Sequence, residues 1–197
     1  GAGSTAPMEW TRRAWMTAIP GFLASAGVAG AGGAVLLSPR RASAAFGVRG
    51  TFVYSGGRAQ EQRRAAAVEE VVQEVNVIIR GMARERILKG TAPKSPLEIT
   101  VDPLARVASL RAPTMPLLRG TTDGRPVAWK TASGDRNTVN ITQREEVLSF
   151  RFRGNGGDSR YVYRFAPDGQ SLVLQASVSH RLMPKSLRFR LSYRRVS

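Results

Sequence analysis

Three observations predict a mainly β protein, an antiparallel meander barrel of about nine or ten strands with a helical insertion. Apolar and polar residues alternate from Leu97 to the C-terminus, as in Leu97-Ile99-Val101, Leu148-Phe150-Phe152, Tyr161-Tyr163-Phe165, Leu172-Leu174-Ala176-Val178 and Leu187-Phe189-Leu191-Tyr193. Turn signals such as Asp123-Gly124, Gly134-Asp135, Asn155-Gly156-Gly157 and Asp168-Gly169 separate these runs. The polar face carries Ser149, Arg151, Arg153, Arg164, Arg188, Arg190 and Arg194. Successive strand residues point to opposite faces, so one face is aromatic and the other basic. A transmembrane barrel turns its apolar face outward and would place these arginines in its lumen. With an arginine on strand after strand of the polar face, the apolar face is predicted to be the interior of a barrel in water.

The elements follow in order. Phe46 to Gly57 reads as a first strand ended by Gly56-Gly57, with Phe52 and Tyr54 on one face and Val53 on the other. A helical segment is predicted over about residues 59–89, where Val68, Val71, Val72, Val75, Ile78, Ile79 and Met82 form one apolar stripe. Gly90 and Pro93 stop it. As one rod it would be about 45 Å long, roughly twice a barrel strand of ~17–20 Å. One long or two short helices therefore fit the pattern, with a break expected near Gly81. Short turns between the later strands make consecutive strands antiparallel neighbours.

Residues 1–44 read as an address preceding a domain over 45–197. Arg12-Arg13 stand before an uncharged stretch from Ala14 to Leu37, and Ala42-Ser43-Ala44 supplies small residues at a cleavage spacing. Thr11-Arg12-Arg13-Ala14-Trp15-Met16 resembles a twin-arginine export signal. The alternative is a retained membrane anchor, because the run exceeds the ~20 apolar residues needed to cross a bilayer. The expected location is outside the cytoplasm: periplasmic or membrane-associated, or the thylakoid lumen in a plastid-bearing host.

Composition narrows the chemistry. The chain has no cysteine and one histidine, His180, so no thiolate zinc site, disulfide framework or imidazole-based metal centre is expected. No catalytic set, cofactor motif or phosphate loop is read. The formal charge is +16, and of the charged residues only Glu9, Arg12, Arg13, Arg40 and Arg41 lie in 1–44. The positive charge thus belongs to the domain and attracts polyanions such as an anionic membrane surface. Aromatic and basic residues fall on opposite faces, which argues against sequence-specific nucleic acid.

One strand, a helical segment and a continuous meander resemble the calycin group, the lipocalins and fatty-acid-binding proteins. The ending Arg188-Phe189-Arg190-Leu191-Ser192-Tyr193-Arg194-Arg195 resembles the last strand of those barrels. Asp168-Gly169 before Leu172-Val173-Leu174 is similar to exported bacterial domains of that group. The resemblance implies an exported, non-catalytic binding protein for an apolar or amphiphilic, lipid-like small molecule. Expected pocket residues are Phe52, Tyr54, Trp129, Phe150, Phe152, Tyr161, Tyr163, Phe189 and Tyr193. Arg144 is expected to point inward at one end and His180 at the other. Fatty-acid-binding proteins grip a carboxylate with an Arg and a Tyr two residues apart, whereas Arg190 and Tyr193 are three apart and face opposite ways. The alternative is a filled barrel whose arginine face docks on an anionic membrane or a protein assembly. An enzyme would use Tyr161, Tyr163 or His180.

Overall fold

The computed structural model describes residues 46–154 and 156–197; the predicted export segment over 1–44 lies outside them. The chain runs β1 (Val48–Tyr54), α1 (Gly57–Val72), α2 (Val77–Gly90), β2 (Leu97–Asp102), β3 (Val107–Ala112), β4 (Met115–Thr121) and β5 (Asp123–Lys130). It continues through β6 (Arg136–Arg144), β7 (Val147–Gly154), β8 (Gly157–Phe165), β9 (Ser171–His180) and β10 (Leu187–Arg195). The strands form one antiparallel sheet in the order β4-β3-β2-β1-β10-β9-β8-β7-β6-β5. Because β1 pairs with both β2 and β10, the first and last strands meet and the meander curls into a barrel. With its helix pair after β1, the layout is calycin-like.

The ring has one seam. Sequence reading makes Asp123-Gly124 a hairpin between paired strands, yet β4 and β5 are the two edges of the sheet and share no ladder. Side chains fill the gap instead. A Cβ placed on Gly120 would lie 2.7 Å from Val127 Cγ2 and 3.0 Å from Ile141 Cδ1, so only a glycine lets β5 and β6 side chains pack on the β4 backbone. One end of the seam is tied by Gln143 N–H donating to Thr122 O at 3.4 Å. Gln143 Nε2 donates to Phe46 O at 2.6 Å nearby.

The helical segment breaks at residues 73–76 rather than near Gly81. Asn76 is the reason: its backbone is extended and its side chain accepts from Ile78 N, which starts a new helix. The break resets the helical phase. Val68, Val71, Val72 and Val75 are buried as the apolar stripe requires, but Ile78 is 86% exposed and Met82 48%. Ala83 faces the core in their place, with Ile79, Ile87 and Leu88 beside it. This cluster packs over Val178, Leu187, Tyr161 and Phe189, so the helix pair closes one end of the barrel.

Polar ties hold that cap. The Gln60 amide donates to Ser192 Oγ at 2.7 Å and accepts from Ser192 N at 2.8 Å. Buried Arg64 donates to Leu88 O and Thr91 Oγ1 and pairs with Glu61. Arg84 grips Glu69 at 2.6 Å, raising the guanidinium's affinity for its proton and lowering the carboxyl's. Glu70 and Glu74, one helical turn apart, hold Lys185 of the β9–β10 loop at 2.9 and 2.8 Å.

Candidate ligand cavity

The alternation of the strands sends a continuous set of side chains inward. Cross-strand register aligns Leu148, Tyr163, Leu174 and Leu191 in one row and Phe150, Tyr161, Ala176 and Phe189 in the next. Phe152, Ser159, Val178 and Leu187 form the third. The rows differ in packing. Phe46, Phe52 and Phe165 fill the end away from the helices, with ring centroids 5.4 and 5.7 Å apart. Toward the helix cap, small residues such as Ala112, Thr131, Ala132 and Ser159 oppose the aromatics, and a cavity of about 360 Å³ opens. Ligand pockets commonly run ~300–1,000 Å³, so there is room for one small molecule.

The fold brings Trp129, Phe152, Tyr161, Tyr163, Phe189 and Tyr193, six of the eleven expected residues, together around this cavity. Phe52 and Phe150 point inward but are buried in the solid core. Tyr54 packs edge-on against Tyr193 and donates to Gly57 O, outside the lining. Arg144 is a correction. It is exposed on the outer face, because Gln143 pairs with Leu148 across the β6–β7 hairpin and odd positions of β6 therefore face inward. His180 is a second correction. It sits at the end of β9, half-exposed, on the rim of an outer groove rather than the cavity. Its Nδ1 accepts from Leu182 N at 3.1 Å, which needs the neutral ring, and burial and Arg181 both lower its pKa. Lining residues that patterning did not single out include Leu97, Leu110, Ala112, Met115, Asn137 and Ser159. Of these, Leu97 is read from the sequence only as a strand-face position; the small residues carry no signal in a hydropathy pattern.

The cavity is polar at a few points and carries no buried charge. Among the described residues no arginine, aspartate or glutamate lines it, and the one cation there, Lys94, is exposed at the mouth beside the helix cap. Trp129 Nε1 is buried without a hydrogen-bond partner, and the Tyr193 hydroxyl lies against the Lys94 backbone, which draws its raised pKa partly back. Burial pushes the Tyr193 phenol well up, and the neighbouring Tyr54 adds to the shift. Burial likewise raises Tyr163 strongly, aided by Tyr193 and Tyr161. Tyr161 is raised by burial and partly restored by a hydrogen bond with Ser159. All three phenols are therefore neutral near pH 7 and present hydrogen-bonding groups, not charges. Among the described residues no three His, Asp or Glu side chains are gathered as a metal site.

No family model matches the chain, and no curated protein does. Among solved structures it is similar to a protein titled REP1-NXSQ fatty acid transporter, at 14% identity and a TM-score of 0.45, covering 75% of this chain and 95% of that one. A fatty-acid-binding protein from Drosophila melanogaster brain matches at 12% identity and TM-score 0.44, over 73% of this chain and 95% of that one. One from Manduca sexta matches at 13% and 0.45, over 76% and 98%. The chemistry of the site rests on its own residues.

Proposed function

We propose that the protein is an exported binding protein that holds one apolar, electrically neutral small molecule bearing a hydrogen-bond acceptor. The cavity carries this reading: it is lined by aromatic and aliphatic side chains, and the polar groups among them, such as Asn137, Ser159 and the Tyr161 hydroxyl, are neutral. A carbonyl, ether or hydroxyl oxygen on the ligand would pair with such groups. A carboxylate would meet no buried cation, and an unpaired charge in an apolar site is strongly disfavoured. The expected ligand therefore departs from the carboxylate class that the calycin resemblance brings to mind. Export rests on the twin-arginine-like segment over 1–44, and amino-terminal sequencing of native protein is expected to find a chain beginning at Ala45.

The ligand class is tested with a matched pair, a long-chain fatty acid and its neutral methyl ketone of equal length. In a Trp10→Phe/Trp15→Phe background, Trp129 is the single tryptophan. The ketone is expected to shift Trp129 emission saturably and to bind at least about tenfold more tightly than the acid at pH 7.5. Equal or tighter binding of the acid would refute the neutral-ligand reading. No binding of either would refute the cargo role.

A further inference from the structure

The outer surface of β6–β10 carries a second site. In register across five strands stand Asn140, Arg151, Arg160, Ser177 and Arg188. Arg153, Asp158 and Ser179 occupy the adjacent row toward the helix cap, and Thr142 and Ser149 the row on the other side. With Arg181 and His180 at the rim they enclose an open groove of about 1610 Å³. At strand spacings of ~4.8 Å, Arg151 and Arg188 are roughly 14 Å apart.

Charge and chemistry distinguish this groove from an ordinary solvated face. Five guanidiniums face one carboxylate, Asp158, which Arg151 and Arg153 already share. Arg160, Arg181 and Arg188 have no carboxylate partner among the described residues. Arg151 lies directly opposite Arg160, a like-charge pair that destabilises a sheet, and Asp158 pairs with Arg151 alone of the two. The floor is made of hydroxyls and an amide. Ser149 is buried there, Arg160 Nε donates to its hydroxyl at 3.4 Å, and Asn140 Oδ1 is buried without a donor. Among the described residues that line the groove, the His180 imidazole at the rim is the one aromatic side chain and none is aliphatic, so the groove offers nothing to acyl chains and no row of aromatic rings for stacked bases.

We propose that this groove binds a polyol carrying two or more phosphate or sulfate esters. Guanidiniums take the esters through bidentate, charge-assisted hydrogen bonds. The Thr142, Ser177 and Ser179 side chains, which are exposed or half-buried, take the free hydroxyls between them. The source is either a soluble phosphorylated sugar or a lipid head group, which present the same chemistry. The site is independent of the cavity and does not rest on its occupant.

The test uses the full chain at ~0.15 M salt, where loose surface attraction is largely screened. Inositol trisphosphate is titrated calorimetrically beside tripolyphosphate, which brings similar charge without hydroxyls. The trisphosphate is expected to bind once per chain and about tenfold more tightly than tripolyphosphate. Arg160→Ala/Arg188→Ala is expected to weaken it by about a hundredfold, and Arg58→Ala/Arg63→Ala, with the same charge loss on α1, by less than about threefold. If the alanine pair does not fold, Arg160→Lys/Arg188→Lys keeps the charge, removes the fork and is expected to lose about tenfold. Vesicles containing phosphatidylinositol bisphosphate separate the sources. Pelleting that depends on Arg160 and Arg188 supports a lipid-borne head group, and binding of the free compound alone supports a soluble one. Equal loss in both alanine pairs, tripolyphosphate binding as tightly, a single-stranded oligonucleotide taking the groove with equal affinity, or no binding would overturn the proposal.

Discussion

The two halves of the barrel interior are built from the same alternating strands and differ in what the inward positions carry. At the end away from the helices, Phe46, Phe52, Phe165, Leu148 and Ile141 meet large against large and leave no room. Beneath the helices Trp129, Phe152 and Tyr161 stack edge-on at 5.6 and 5.7 Å, but the residues across from them are small. The difference teaches that alternation makes a barrel, whereas the pairing of side-chain sizes across it makes a container.

The sharpest way to break this comparison is to cut one large residue from each half. Phe52→Ala removes a ring with no exposed surface and is expected to cost ~3–5 kcal/mol in denaturant unfolding. Met115→Ala, at the cavity wall, is expected to cost less than the ~2 kcal/mol at the low end of such changes. Equal costs would mean the halves are packed alike.

Filling the hollow half sharpens it further. Ala112→Phe places a ring in the cavity, and ketone binding is expected to fall at least tenfold while stability changes by less than about 1 kcal/mol. In a solid interior the same change would overpack and cost ~1–3 kcal/mol.

Alkaline pH reports on the three tyrosines that line the cavity and on Tyr54 beside them. Tyr54, Tyr161, Tyr163 and Tyr193 all have phenols raised above the ordinary ~10. A raised phenol contributes stability that is complete below pH ~10 and is lost as pH rises toward the folded-state value. Tyrosinate absorbance at 295 nm is therefore expected to appear together with loss of the sheet signal above pH ~10. A smooth titration of all the tyrosines centred at ~10 in intact protein would contradict the burial of Tyr161, Tyr163 and Tyr193.

The fold was largely legible because a strand announces itself by a period of two and its turns by glycine. Gly124, Gly134, Gly156 and Gly169 all take positive φ where turns were read. What was hidden is non-local or resets a phase. Asn76 shifts α2 so that Ile78 and Met82 face outward. The hairpin through Glu145, itself at φ 50°, puts Arg144 outside. Nothing near Gly120 in the chain says that Val127 and Ile141 will seal the barrel there. The aromatic walls of the cavity were readable from phase, but Ala112 and Ser159, whose small size makes the space, were not.

A last, small effect belongs to the cavity rim. Thr114 is a β-branched residue at φ 63°, in the left-handed region that disfavours such side chains. Thr114→Gly is expected to raise stability by up to ~1 kcal/mol, read as a higher melting temperature.

Xenon entering crystals under pressure tests the hollow-and-solid account most directly, since an apolar void takes up the gas and a packed core does not. The account expects xenon density among Trp129, Phe152, Leu110 and Tyr193 and none among Phe46, Phe52 and Phe165. Density in neither half, or equally in both, would contradict it.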